Sequence, residues 1–501
     1  MKHRPSSVAL LFLVPALGGL LFGYDIGSTS YVVKQLQDED FSGISWSSSA
    51  SDPLVKGLIT TATTAGAFLG SILVFAVADS LGRRRELQVG SLLYLFGAVS
   101  MYLCCNSSLA EGPGVGLLTA ARVVYGVGIA FSMHGAPTYI AEMAPPSLRG
   151  LLVSLKEAFI VVGILSGYLI GYLLSTTPSG WSYTYGCSAF LSLPMFLGTF
   201  LIPYSARWLL LKGRDEEAVE SIKWVFEGED SMELYDEIKE QVDAQIANEQ
   251  ATGGADKSIF APRWRGALRA GVGLVVLQQV TGQPSILSYA TPILDDAGLE
   301  SYSSVLVGVF KFFATMFAVL YVENYGRRKL LFIGNALMLI ALVTLSISFI
   351  GDDGSSSSDN NDDSSSSDGL GAKQIVTLVG MFVYIGGYQV GFGPIAWLMI
   401  SECFPLEIRG QAVAFAVQMN FFWNMVVQFS VPTIQDTIGN MSMFIIFSVL
   451  TAYSIYFVDK YVPETKGLSL EQIEKFFEQQ HRDRKKGASN PETPLLAANI
   501  V

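Results

Sequence analysis

The chain has 501 residues, of which 50% are hydrophobic and only 15% charged; its mean hydropathy is +0.41 and its net charge −12. A soluble protein of this length carries about a quarter charged residues, so recurring apolar runs in so weakly charged a chain point to a polytopic membrane protein. The acidic balance and the lack of a basic stripe exclude a nucleic-acid-binding role.

The first apolar run covers 8–33. Lys2 and Arg4 ahead of it resemble a signal peptide, but no small-residue cleavage site follows and the run continues through Asp25, so a retained first helix is expected. A carboxylate inside a spanning segment is costly unless paired, neutralised or facing water, which makes Asp25 a candidate proton site. The bland alternative places Asp25 at the headgroups. Eleven further spans are expected at 57–79, 87–105, 114–140, 151–174, 183–202, 267–294, 303–325, 329–350, 373–400, 411–434 and 441–462. Each reaches the ~20 residues that cross a bilayer at 1.5 Å per residue. Cys104, Cys105, Cys187 and Cys403 fall in or at the ends of these runs without metal spacing and read as buried thiols.

The residues divide into an N-terminal six-helix half (1–202), a charged helical linker (203–266), a C-terminal half (267–465) and a tail (466–501). The Ser/Asp stretch 351–369 has no apolar area to bury and is expected to be disordered. Short loops carrying Arg83-Arg84-Arg85, Arg149, Arg327-Arg328-Lys329 and Arg409 share one side with both termini, which the positive-inside rule makes cytosolic. The two Asn-x-Ser/Thr sequons, at Asn106 and Asn440, fall on the other side.

The halves repeat. Gly82-Arg83-Arg84-Arg85 returns as Gly326-Arg327-Arg328-Lys329, 244 residues on. Glu142-x-x-Pro145-x-x-x-Arg149-Gly150 returns 260 residues on as Glu402-x-x-Pro405-x-x-x-Arg409-Gly410, and Pro203 returns as Pro463 at the same offset. The Ser/Asp insert between the two matches accounts for the 16 extra residues. Parallel six-helix repeats are a transporter architecture with substrate held between them at mid-membrane.

On these motifs the chain resembles the sugar porters of the major facilitator superfamily over about 8–475. The resemblance is carried by Phe22-Gly23-Tyr24-Asp25, Gly82-Arg83-Arg84, Tyr139-Ile140-Ala141-Glu142, Arg207-Trp208, Gln278-Gln279-x-x-Gly282, Gly326-Arg327-Arg328, Gly393-Pro394-x-x-Trp397 and Pro463-Glu464-Thr465-Lys466-Gly467. Met133-His134-Gly135-Ala136-Pro137 and Gly391–Met399 are similar to the D-xylose–proton symporter-like branch, which includes vacuolar glucose transporters. Asp79-Ser80 departs from the family's Asp-Arg, and Pro203-Tyr204-Ser205-Ala206-Arg207-Trp208 departs from Pro-Glu-Ser-Pro-Arg-Trp.

The resemblance implies that Asp25 and Arg122 form the proton-coupling pair. A sugar is a ring of hydroxyls with weakly apolar faces, so its site needs amides that donate and accept, plus an aromatic plane. Gln278, Gln279 and Gln283 in the seventh span, Trp397 in the tenth and Asn420 in the eleventh answer that need by resemblance, with Phe22 and Tyr289 as lining aromatics. Pro284 stands where the family often has an Asn ligand, and Gln283 is the expected substitute. Glu157 stands where many relatives have Gln, and Lys311 where an amide is common; two opposite charges in two halves suggest a Glu157–Lys311 pair, against a bland reading in which each snorkels to an interface. His134 is a further titratable residue, expected to be a hydrogen-bonded helix position. Arg83, Arg84, Glu142, Arg149, Arg327, Arg328, Glu402 and Arg409 are expected to form inter-helix salt bridges that close an inner gate.

The expected fold is therefore an all-α membrane protein with twelve spans in two six-helix pseudo-repeats. The expected function is proton-coupled transport of a glucose- or xylose-type monosaccharide by alternating access in a lipid bilayer. The alternatives are a facilitative hexose uniporter and a non-transporting sugar sensor. No enzyme constellation, cofactor, metal site or nucleic-acid partner is expected, and the protein is expected to act as a monomer. Branch resemblance, with Glu492-Thr493-Pro494-Leu495-Leu496 as an incomplete dileucine signal, points to the vacuolar membrane; plasma membrane and plastid envelope follow in that order.

Overall fold

In hydrocarbon, a backbone must satisfy its own N–H and C=O groups, and the apolar runs do so as helices. The computed structural model describes residues 3–104, 111–145, 148–227, 230–251, 259–300, 302–321, 325–350, 371–404, 406–466 and parts of 472–479. The Ser/Asp stretch, Asn106 and the C-terminal dileucine-like residues lie outside the described residues.

The first six spans are α1 (Pro5–Gln37), α3 (Pro53–Leu81), α4 (Arg83–Leu103), α5 (Glu111–Met143), α6 (Arg149–Leu174) and α7 (Gly180–Gly198), with a single turn, α2 (Ser47–Ala50), before α3. The linker forms α8 (Ala206–Leu211), α9 (Asp215–Val225) and α10 (Asp230–Ala251). The seventh span is broken into α11 (Arg265–Val280), α12 (Gln283–Ser288) and α13 (Ala290–Asp296). Then come α14 (Ser303–Tyr321), α15 (Arg327–Ser348), the tenth span as α16 (Ala372–Val390) and α17 (Phe392–Cys403), and α18 (Leu406–Tyr461). The last element contains two spans joined at Gly439, whose φ of 78° suits glycine alone without strain. Among the described residues, eight helices are by themselves long and apolar enough to cross a membrane. The remaining spans come from the broken seventh span, from the shorter α7 and α14, and from the merged α18.

The chain forms two compact units: 1–49, 61–261 and 406–422 in unit 1, and 50–60, 262–405 and 423–501 in unit 2. The linker helices thus belong with unit 1. In unit 1, α1 packs along α6 through small residues. A Cβ on Gly23 would lie 1.8 Å from the Ile160 carbonyl oxygen, and one on Gly163 would lie 2.1 Å from that of Leu20. Membrane helices associate through such close backbone approach, since burying apolar surface gives little in lipid. α3 and α5 meet the same way, with Gly66 against the Val123 carbonyl and Gly126 against that of Thr63. These two contacts fix the helices that carry the charged residues of unit 1.

In unit 2, the seventh span breaks at Gly282, where φ is +100°, and again at Tyr289. The carbonyl of Thr281 freed at the first break accepts a hydrogen bond from Tyr384 Oη at 3.1 Å. That donor answers the polar backbone the break exposes, which is the condition for irregular chain at membrane depth.

Candidate functional site

In unit 1, Asp25 of α1 and Arg122 of α5 are brought together. Arg122 Nη1 donates to Asp25 Oδ1 at 3.2 Å and Nη2 to Oδ2 at 3.4 Å. Nη2 also donates to Thr29 Oγ1 at 3.1 Å, and the guanidinium lies 4.8 Å from the centroid of the Tyr185 ring. Asp25 is 7% exposed and Arg122 1%. The two-pronged geometry matches a planar guanidinium to a carboxylate and holds both orientations. Three tyrosines brace the helices that carry it: Tyr24 donates to the Thr184 carbonyl, Tyr94 to that of Gly18 and Tyr125 to that of Leu21.

In unit 2, four neutral amides are joined in a chain. Gln428 Nε2 donates to Asn424 Oδ1 at 2.6 Å, and Asn424 Nδ2 to Gln279 Oε1 at 3.1 Å. Gln279 Nε2 donates to Gln278 Oε1 at 3.3 Å, and Gln278 Nε2 to the Phe392 carbonyl at 3.1 Å. Four amides therefore donate in one direction along a chain. An amide has two N–H donors and two lone pairs, so each link leaves capacity for a hydroxyl. Asn424 and Gln428 escaped the sequence reading. Their i, i+4 spacing on one helix face was the available signal.

Tyr289 is fully buried at the second break of the seventh span. Its hydroxyl lies 2.6 Å from Thr60 Oγ1 and donates to the Gln428 carbonyl at 3.3 Å. Gln283 opens α12 half-buried; Trp397 on α17 and Asn420 on α18 are also half-buried. Phe22 meets Phe421 edge-on at 6.2 Å between centroids.

Glu157 has a near neighbour of opposite charge. Its carboxylate lies 3.0 Å from Lys156 Nζ, and it is the lysine that is buried while Glu157 stays 47% exposed at the side chain. A hydrated carboxylate keeps its solvation beside its adjacent lysine. Lys311 of α14 donates to Gln389 Oε1 at 3.2 Å, with the Tyr388 ring 5.5 Å from its Nζ. Lys156 and Gln389 were not singled out from sequence, because a lone polar position in a spanning helix gives no partner.

Each unit also carries an arginine-loop cluster. In unit 1, Arg83 Nε donates to Glu142 Oε1 at 3.3 Å, Ser205 Oγ donates to Glu142 Oε2, and Arg84 Nε donates to the Thr199 carbonyl at 2.9 Å. In unit 2, Arg327 Nη2 donates to Glu402 Oε1 at 3.0 Å, Thr465 Oγ1 donates to Glu402 Oε2, and Arg328 Nη2 donates to the Asp459 carbonyl at 2.7 Å. Ser205 and Thr465, and Thr199 and Asp459, stand 260 residues apart, the offset of the repeated glutamates. The clusters differ at one position. Glu464 accepts from the backbone N–H groups of Arg327 and Arg328 at the start of α15, where a carboxylate meets the positive end of the helix. Its counterpart Tyr204 lies under the Arg84 guanidinium at 4.8 Å and stacks on Trp208. The side chains of Arg149 and Arg409 lie outside the described residues.

The spans, the repeat and these paired clusters are those of a transporter of the major facilitator class. The chain belongs to the sugar (and other) transporter family, whose model matches residues 11–477. It is 40% identical over 486 residues to D-xylose-proton symporter-like 3, chloroplastic, of Arabidopsis thaliana, covering 94% of this chain and 82% of that one. It is 32% identical over 478 residues to the D-xylose transporter of Levilactobacillus brevis, covering 94% and 96%. Its structure is similar to that of the E. coli proton:xylose symporter XylE bound to 6-bromo-6-deoxy-D-glucose, with a TM-score of 0.74, 26% identity and coverage of 94% and 99%.

Proposed function

We propose that the protein carries a monosaccharide of the glucose or xylose type across a membrane by alternating access, with a proton riding on Asp25. The observation that carries this reading is the buried Asp25–Arg122 pair in a chain of the sugar transporter family. A proton on Asp25 removes its attraction for Arg122 and frees the guanidinium to its remaining partners, Thr29 and Tyr185. That shifts the balance between conformations, as any ligand does that meets two states differently. The amide chain at Gln278, Gln279, Asn424 and Gln428 supplies the donors and acceptors for sugar hydroxyls. Trp397 supplies an aromatic face and an N–H, with Gln283 and Tyr289 in the same unit, while Phe22 and Asn420 are sugar contacts of unit 1. The arginine loops act as gate locks on the side that also carries both termini, which is cytosolic. The membrane in this reading is the vacuolar one; a fluorescent fusion found in the chloroplast, as the printed name of one relative reads "chloroplastic", overturns that part.

The test is the purified protein in liposomes with a trapped pH indicator, given glucose or xylose without an imposed gradient. Sugar-driven proton movement that disappears in Asp25→Asn supports coupling, and its sign separates symport from antiport. Sugar entry with no pH change leaves a uniporter. No entry of either sugar by folded protein overturns the transport reading.

A further inference from the structure

The two arginine-loop locks are built alike, yet the first holds a pair the second lacks. Glu86 lies one turn into α4 and is fully buried, at 0% exposure. Its Oε2 is 2.8 Å from Nδ1 of His134 on α5. Its Oε1 is 3.7 Å from Arg83 Nη1 and has no hydrogen-bond partner. The repeat places Leu330 where Glu86 stands and Pro394 where His134 stands. The Arg327–Glu402 lock therefore closes with an apolar residue and a proline at these positions. A buried carboxylate and a half-buried imidazole are not needed to build a lock of this kind, and in the first lock they do something more.

The charges around the pair explain what. Arg83 faces three carboxylates: Asp79 from α3 at 3.6 Å, Glu86 from its own helix, and Glu142 from α5. Arg84 and Arg85 turn away to Tyr204, and the Tyr139 hydroxyl on α5 is engaged with the Pro203 carbonyl. When His134 is neutral, Glu86 and Glu142 compete for one guanidinium. When His134 carries a proton, Glu86 has its own cation and Arg83 is left to Glu142. Glu86 sits where an uncompensated charge is costly, so its choice of partner has consequences for the lock.

We propose that Glu86 and His134 are positioning residues of the first lock, and that the proton on His134 sets how firmly Arg83 holds Glu142. The proposal rests on the transporter reading above, and makes the rate of conformational exchange respond to pH on the arginine-loop side through a group other than Asp25. Imidazole is suited to this because its charge ordinarily changes between about pH 5 and 8.

Two measurements test it. The chain has three histidines, His3, His134 and His481, so full-length protein with 15N-labelled imidazoles in lipid nanodiscs gives few signals, and His134→Gln assigns the one of interest. The His134 signal is expected to move in Glu86→Gln, which removes the carboxylate 2.8 Å from its Nδ1. A His134 signal unmoved in Glu86→Gln overturns the proposal. The second measurement is glucose and xylose exchange in liposomes with equal pH on both sides. Wild-type exchange is expected to change by about threefold between about pH 5 and 8, and the change to flatten in His134→Gln. A profile unaltered in His134→Gln overturns the proposal. Wild-type protein that exchanges neither sugar counts against the transporter reading itself, and the imidazole signal then still decides the fate of the Glu86–His134 pair.

Discussion

Asp25 and Arg122 in unit 1 are as thoroughly buried as Gln278 and Gln279 in unit 2, the latter at 3% and 4% exposure, but the chemistry they bury is opposite in kind. The Asp25–Arg122 site in unit 1 pairs a cation with an anion, each of which needs the other. Unit 2 holds a chain of neutral amides, each of which has hydrogen-bonding capacity to spare. A buried ion pair resists removal of either member, because the survivor is an uncompensated charge. A missing amide leaves only unmet hydrogen bonds. The two sites are thus suited to different ligands: a proton, which changes charge, and a sugar, which exchanges one set of hydrogen bonds for another.

The sharpest way to break this comparison is through the backbone. Gly23→Leu has no room against the Ile160 carbonyl, and is expected to separate α1 from α6 and abolish folded protein by size-exclusion chromatography. Gly271→Ala, seven residues before Gln278, meets Ile400 at an ordinary 3.4 Å and is expected to fold. Equal yields would mean that the charged site does not depend on close helix approach.

Next in size is Arg122→Leu. It is expected to lower stability by about 3–5 kcal/mol, read as a large drop in the thermal unfolding midpoint in detergent. Adding Asp25→Asn is expected to restore much of the loss, since the orphaned charge is gone. No recovery would mean that packing, rather than charge, dominates the site.

Gln279→Leu is expected to cost less in stability and more in function. Losing hydrogen bonds of about 1–3 kcal/mol weakens sugar affinity by about five- to a hundredfold, measurable by competition in the exchange assay. Unchanged affinity would take the amide chain out of the sugar site.

The smallest effect is expected where charges meet without burial. In the linker, Lys239 Nζ lies 2.8 Å from Asp215 Oδ1. Hydrogen bonds from Lys239 and then Tyr235 hold the Asp215 carboxyl below its ordinary range. A depressed carboxyl contributes stability above its unfolded-state pKa and loses it as pH falls through the folded value, so acidification releases this clasp. Lys239→Met is expected to change unfolding at neutral pH very little, as exposed pairs generally do. A loss as large as that of Arg122→Leu would show that burial is not what separates the two pairs.

The sequence made the spans, the repeat and the residues Asp25, Arg122, Gln278 and Gln279 legible, because each is a polar residue in an apolar run and such residues are rare. It also marked Glu142 and Glu402 as more than topology signals, since arginine loops alone do not explain two glutamates at matched spacing. Partners were harder to read. Glu157 was read for a long-range partner, while the adjacent Lys156, 3.0 Å away, gave no signal of its own. Ser205 and Thr465, which donate to the two lock glutamates, are ordinary residues until the 260-residue offset is laid over the hydrogen bonds. Glu86 gave no signal, sitting in the first turn after an arginine loop, where a carboxylate is commonplace.

Sequence by itself thus determined what must be buried: runs of about 20 apolar residues fold into spanning helices, and a few polar side chains go into the bilayer with them. Tertiary structure decided which of those polar groups meet. Pairing depends on helix rotation and approach within about an ångström, set here by Gly23 against Ile160 and Gly126 against Thr63, and no local pattern along one helix carries that information about another.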